Sequence, residues 1–153
     1  MLKFVLLNIN ICLTISLFSQ NKIKTKDFFK DLNKEERRVI VFKGTEPAGS
    51  GIYNNHFEYG MYVCKACNNP LFNSTSKFNS NCGWPSFDDE IKGSIKRYED
   101  NSFFMNRTEI CCANCNGHLG HVFEGENLTK KNLRHCVNSC LLYTSPSPRD
   151  LAV

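Results

Sequence analysis

Cys64-Lys65-Ala66-Cys67-Asn68-Asn69 and Cys112-Ala113-Asn114-Cys115-Asn116-Gly117 decide how this chain is read. A two-residue spacer lets both sulfurs of a pair face one ion from a tight turn, and two such turns supply four tetrahedral thiolates. The spacing therefore predicts a closed zinc site with Cys64, Cys67, Cys112 and Cys115 as ligands. The Asn and Gly residues behind each pair tolerate the left-handed backbone that such a knuckle needs. Two disulfides or a redox C-x-x-C compete with this reading. A redox pair, however, normally stands alone at the start of a helix in a βαβ setting, and neither condition holds here. Cys111 could replace Cys112, but the two-residue spacing favours Cys112. A site with no open position is structural. Zinc binding is worth about 10–16 kcal/mol in small domains, against a net domain stability of about 5–15 kcal/mol. Losing the metal would threaten the fold before it slowed any chemistry.

Outward from the knuckles the texture is β. Residues 52–63 are short and aromatic-rich, with 61–63 leading into the first cysteine pair, while 77–78, 94–98, 103–105 and 108–111 are short and strand-like, with turn residues between them. Pro47-Ala48-Gly49-Ser50-Gly51 is a loop. Upstream, apolar residues at 28, 29 and 32 have helical spacing within 25–32. Asn33 followed by Glu36 resembles a capping box, opening a second short helix from 34 to about 42 that Gly44 ends. The expected class is mostly β, with antiparallel sheets from about 43 to 140 and a few short N-terminal helices.

The 153 residues suit one domain, and 41% hydrophobic with 22% charged content is ordinary for a globular chain. The net charge of +4 comes from scattered Lys and Arg, so no basic stripe suits nucleic acid. Residues 1–19 read as a cleavable signal peptide: a positive start at Lys3, a short apolar run, and a small residue at Ser19. An uncleaved anchor is the alternative. The run is too short and interrupted for a comfortable membrane span. A secreted or periplasmic domain over 20–139 follows, with no stable membrane association, and Cys12 leaves with the leader. Residues 140–153 carry Pro146 and Pro148, which exclude a central strand there. They read as a foreign or frame-shifted end, with a disordered tail as the alternative.

Of the nine cysteines, Cys82, Cys111, Cys136 and Cys140 remain once Cys12 and the zinc quartet are set aside. Cys136 lies in Arg134-His135-Cys136-Val137-Asn138-Ser139. In a strand, Arg134, Cys136 and Asn138 share one face. A nearby guanidinium favours the nucleophilic thiolate, and Asn138 can hydrogen-bond beside it. A buried structural thiol beside an incidental Arg fits the same spacing. Cys82 lies in the Gly/Pro loop Asn81-Cys82-Gly83-Trp84-Pro85-Ser86-Phe87 with the only tryptophan, either a core residue or the wall of a small pocket. In His118-Leu119-Gly120-His121-Val122-Phe123, the two histidines are extra metal ligands, active-site groups or structural residues. Histidine titrates near neutrality and can protonate a developing oxygen anion.

Taken together, these motifs resemble the B-type methionine sulfoxide reductases from about 28 to 139, including Lys43-Gly44-Thr45-Glu46-Pro47 upstream. The resemblance implies a β-rich zinc domain that reduces the R epimer of methionine sulfoxide, mainly in oxidised proteins. It implies Cys136 as nucleophile and Cys82 as resolving cysteine, with a Cys82–Cys136 disulfide reduced by a thioredoxin-like partner. It also implies Trp84 against the substrate methyl group, Phe123 beside it, His118, His121 and Asn138 around the sulfoxide oxygen, and Arg134 assisting the thiolate. Two positions depart from the family pattern: Cys111 stands where many members have Arg, and Cys140 where they commonly have Ala.

Overall fold

The two knuckles are hairpin turns, and the strands they join organise the molecule. A computed structural model describes residues 27–145. In chain order the elements are α1 (Lys34–Ile40), β1 (Met61–Cys64), β2 (Pro70–Asn73), β3 (Lys77–Phe78), β4 (Ser86–Phe87), β5 (Ile95–Asp100), β6 (Arg107–Cys112), β7 (His118–Glu124), β8 (Leu133–Val137) and β9 (Leu142–Ser145). One sheet has the order β2-β1-β9 and the other β3-β4-β8-β7-β6-β5. Every pairing is antiparallel.

Both turns close in the same way. Asn68 N–H donates to Cys64 O at 2.8 Å, and Cys64 N–H to Asn69 O at 2.9 Å. Asn116 N–H donates to Cys112 O at 2.8 Å, and Cys112 N–H to Gly117 O at 2.9 Å. Asn68 and Asn116 take φ of 58° and 60°, the left-handed conformation that asparagine tolerates.

Strand alternation divides the large sheet. Ile110, Leu119, Val122, Val137 and Phe87 join Tyr62, Leu71 and Phe72 in one buried cluster. Phe72 and Phe87 stack with ring centroids 4.3 Å apart. Helix α1 adds Val39 and Ile40 to that core, and its capping box is formed: Glu36 N–H donates to Asn33 Oδ1 at 2.9 Å, and Asn33 N–H to Glu36 Oε2 at 3.0 Å.

Three local expectations change. Residues 28–31 are a turn rather than helix. The Asp27 carboxylate takes the Phe29 N–H at 3.0 Å, a local bond that competes with helix formation. Phe28, Phe29 and Leu32 still pack on the core. Residues 103–105, expected as strand, belong to the β5–β6 connection, where Ser102–Phe104 is a short 3-10 turn with Phe103 and Phe104 at φ of 55° and 58°. Finally, the backbone does not leave the domain at Ser139. It enters β9, which pairs with β1 from Cys64↔Leu142 to Met61↔Ser145. The prolines do not conflict with this, because β9, described over Leu142–Ser145, is an edge strand. The leader at 1–19 and the tail from 146 lie outside the described residues. Among the described residues, no helix is long and apolar enough to cross a membrane.

Candidate active site and metal centre

The hairpin turns bring Cys64, Cys67, Cys112 and Cys115 together with all four sulfurs within 4.8 Å of one another. Cys64 Sγ is 3.6 Å from Cys115 Sγ, and Cys67 Sγ is 3.5 Å from Cys112 Sγ. A tetrahedron with Zn–S bonds of about 2.3 Å has sulfurs about 3.7 Å apart, so the quartet has the dimensions of such a site. Gly117 N–H donates to Cys115 Sγ at 3.4 Å, a bond that favours the thiolate. Contacts with Cys112 and Cys115, together with burial, hold the Cys64 thiol far above its ordinary range. A divalent cation is what would let four such close sulfurs ionise together.

On the opposite face, strand register collects the remaining polar residues. Asp100 pairs with Arg107 across β5–β6, Glu109 with His121 across β6–β7, and His121 with Cys136 across β7–β8. Residues 118 and 121 would point oppositely in a regular strand. A register shift changes this: Ile110 faces Gly120 while Cys111 faces His118, leaving Leu119 as the extra residue of a β-bulge. His118 and His121 therefore share a face, with ring centroids 5.7 Å apart. The same alternation separates the adjacent cysteines. Cys112 joins the thiol quartet, and Cys111 lies with Glu109 and His118.

Each histidine is held by a carboxylate. His121 Nε2 is 2.7 Å from Asp100 Oδ2, which also accepts from Arg107 at 2.6 Å. Hydrogen bonds from Ser102 and then His121 keep the Asp100 carboxyl well below its usual range. His118 Nδ1 is 2.7 Å from Glu109 Oε1, and Lys43 Nζ donates to Glu109 Oε2 at 2.7 Å. Burial works to raise the Glu109 carboxyl, but the bonds from Lys43 and His118 hold it low. His118 is pushed down by burial, which outweighs the pull of Glu109. At neutral pH it is an uncharged imidazole donating to Glu109.

Cys82 and Cys136 face each other with sulfurs 3.8 Å apart. Cys82 is pulled down to about 4 by the hydrogen bond from Cys136, with Ser80 and Ser86 also helping against burial. Cys136 is held up by its bond to Cys82 and by burial, while Arg134 pulls the other way. The two sulfurs thus share one proton, with the charge resting on the more hydrogen-bonded Cys82. Arg134 is clamped by Glu126, with Nε 2.6 Å from Oε2 and Nη2 2.8 Å from Oε1. Its guanidinium also lies 4.5 Å from the Phe123 ring centroid.

A cavity of about 140 Å³ opens at Cys136, lined by Trp84, His121, Phe123, Asn138, Thr45 and Arg107 among others. Trp84 Nε1–H donates to Glu46 O at 3.1 Å, which fixes the indole as a wall. Asn138 does more structural tying than its sequence position suggested: Nδ2 donates to Leu119 O and Oδ1 accepts from Glu46 N–H, both at 3.0 Å. His118 lies in the adjoining cavity of about 440 Å³, which shares Thr45, Arg107 and His121 with the first. Every site residue expected from the motifs thus falls at the quartet or on this one face. Asp100, Glu109, Glu126, Ser80 and Ser86 were not anticipated, because only strand pairing and loop closure bring them to the site.

A close thiol pair beside a small pocket, on a β domain that carries a cysteine quartet, is an arrangement suited to thiol redox chemistry. The SelR domain model matches residues 32–146. The chain is 49% identical over 116 residues to peptide methionine sulfoxide reductase B2, chloroplastic, of Arabidopsis thaliana, covering 75% of this chain and 56% of that protein. It is 46% identical over 117 residues to peptide methionine sulfoxide reductase B5 of Oryza sativa, covering 76% and 85%. It is 47% identical over 118 residues to peptide methionine sulfoxide reductase MsrB of Acinetobacter baumannii, covering 76% and 84%. The chain belongs to the SelR domain family, that of the B-type methionine sulfoxide reductases.

Proposed function

We propose that this protein reduces the R epimer of methionine sulfoxide, mainly in oxidised proteins, with Cys136 as nucleophile and Cys82 as resolving thiol. The observation that carries the reading is the position of Cys136, at a 140 Å³ pocket walled by Trp84 and 3.8 Å from Cys82. In this reading the substrate methyl group packs on Trp84 and the sulfoxide oxygen lies toward His121. A proton passes from Cys136 to Cys82, and Arg134 then favours the Cys136 thiolate. That thiolate forms a bond to the sulfoxide sulfur as the oxygen takes a proton by way of His121, the imidazole that lines the pocket. His118, neutral and tied to Glu109, completes the polar wall. The sum consumes sulfoxide, thiolate and one proton, and it yields methionine and a Cys136 sulfenic acid. Two electrons come from the Cys136 sulfur. Cys82 then attacks that sulfur, its S–H proton passing to the departing oxygen, so that the S–O bond breaks, the disulfide forms and water leaves. A thioredoxin-like dithiol restores the pair by exchange.

The cysteine quartet would hold zinc, which supplies cross-linking rather than chemistry, since four thiolates leave no open position. A leader cleaved near Ser19 would put the mature domain outside the cytoplasm, secreted or periplasmic, and amino-terminal sequencing of the exported protein checks that cut.

Reduction assays on separated R and S epimers test the activity, and no reduction of either overturns it. Cys136→Ser should give no methionine. Cys82→Ser should give one methionine per chain and then stall with thioredoxin-type reductant. Full multiple turnover in Cys82→Ser would remove Cys82 from the cycle.

A further inference from the structure

Beside the thiol pair, and apart from the cysteine quartet, Glu109, Cys111 and His118 form a second group of donors. Each offers one ligand atom, and these atoms lie within 4.8 Å of one another. All three residues are buried, at 4%, 1% and 3% exposure. Their meeting is built into the sheet: Glu109 and Cys111 are alternate residues of β6 on one face, and the bulge brings His118 opposite Cys111. His118 and Glu109 open onto the cavity of about 440 Å³, so a hydrated ion has a way in. His118 Nε2 is buried with no hydrogen-bond partner. An imidazole nitrogen buried without a partner is destabilising, and a bound ion, or a turn of the ring toward one, would relieve it.

We propose that Glu109, Cys111 and His118 form a second metal site, which takes one borderline or soft divalent cation such as Zn²⁺ or Cd²⁺ and by doing so ties up His118. The donor set of one thiolate, one imidazole and one carboxylate suits this class of ion, and hard cations such as Mg²⁺ are not expected to compete. Three protein ligands leave one position open toward the cavity, in contrast with the closed quartet. Binding exchanges the Cys111 S–H proton for the metal, so one proton is released per ion. Lys43 opposes entry. Its ammonium is 2.7 Å from Glu109 Oε2 and must share that carboxylate or swing away. Arg107 also lines the cavity, while Asp100 supplies a compensating carboxylate. The site is therefore expected to be weaker than the quartet. That His118 capture inhibits turnover rests on the function proposed above; the metal site itself does not.

The test uses the zinc-loaded full chain carrying Cys136→Ser, which removes the Cys82–Cys136 dithiol as a competing chelator. Cd²⁺ is titrated in, and zinc and cadmium are counted separately. The expected result is one further metal per chain, with a sulfur-to-metal charge-transfer band and one proton released. Adding Cys111→Ser should weaken this second binding at least about 100-fold while the first zinc stays bound. Cys111→Ala serves if the serine variant fails to fold. Lys43→Gln should tighten it. Absence of a second metal, or an unchanged second metal after Cys111 is replaced, overturns the proposal. With Cys136 present, Cd²⁺ should inhibit sulfoxide reduction less in Cys111→Ser. A protein that binds the second metal but reduces neither epimer would refute the proposed activity and leave the site standing.

Discussion

Cys82 and Cys136 differ in sequence only by their neighbours, yet the fold gives them opposite ionisation. Cys82 sits at about 4, because Cys136 donates to it and Ser80 and Ser86 add further hydrogen bonds. Cys136 is held up by Cys82 and by burial. At pH 6 the first is therefore ionised and the second protonated. Brief alkylation of the reduced, zinc-loaded protein at that pH should modify Cys82 first, as peptide mapping would show. In Cys82→Ser the largest upward influence on Cys136 is gone. Its alkylation midpoint should then fall below that of Cys136 facing an intact Cys82. Replacing Arg134 with Met in the same background should raise it again. Equal labelling of both thiols at pH 6 would contradict this assignment. Little of this was legible beforehand. Arg134, two residues from Cys136, was visible as a thiolate partner. Glu126, which clamps that Arg from eight positions away, carried no sequence signal. The pairing with Cys82 came from family resemblance, because a loop cysteine 54 positions away has no spacing rule that points to it.

At the level of elements, β7 shows where periodicity misleads. Histidines three apart in a strand belong on opposite faces, and the bulge at Leu119 puts them together. Gly120 is what permits this. A Cβ placed there would lie 2.0 Å from the Cys136 carbonyl oxygen, so β7 and β8 can approach only at a glycine. Gly120→Ala should cost about 1–3 kcal/mol, as overpacking does. It should also lower activity more than stability, since the strand pushed aside carries Cys136. Denaturant midpoints and turnover measured on one preparation would separate the two effects. Helix α1 is the contrasting case. Its capping box was readable from Asn33 and Glu36 alone, because both bonds are local. Asn33→Ala should cost about 1 kcal/mol without changing turnover, a loss visible in chemical unfolding. Strands β3, β5 and β6 were likewise legible as short segments set off by turn residues. The 28–31 turn was not, because an Asp side chain outcompeted the helix there. Strand β9 was hidden by the prolines that follow it, although an edge strand tolerates a proline at its end.

Across the whole molecule, the quartet joins the two sheets that also share the buried core. Cys64 ends β1 in the small sheet, Cys112 ends β6 in the large one, and the second cysteine of each pair lies in the adjoining turn. A cation there would staple sheet to sheet. The quartet was the most legible feature of the chain, because two equal spacers state their geometry without help from the fold. Its energetic role follows from scale. A tie of about 10–16 kcal/mol is as large as the whole expected stability of such a domain, about 5–15 kcal/mol. Chelation should therefore abolish cooperative unfolding or lower Tm by more than about 10 °C, given about 2–8 °C per kcal/mol for domains of this size range. Activity should fall in step with the folded fraction measured by near-ultraviolet circular dichroism, and zinc should restore both together. A metal acting in the chemistry would behave differently: activity would vanish while Tm moved by less than about 2 °C. The 3.8 Å contact between Cys82 and Cys136 supplies an independent readout. If the quartet acts only through the fold, apo-protein that remains folded should still close that disulfide at the holo rate. Slower closure in a folded apo-protein would show that the quartet reaches the thiol pair by some route other than stability.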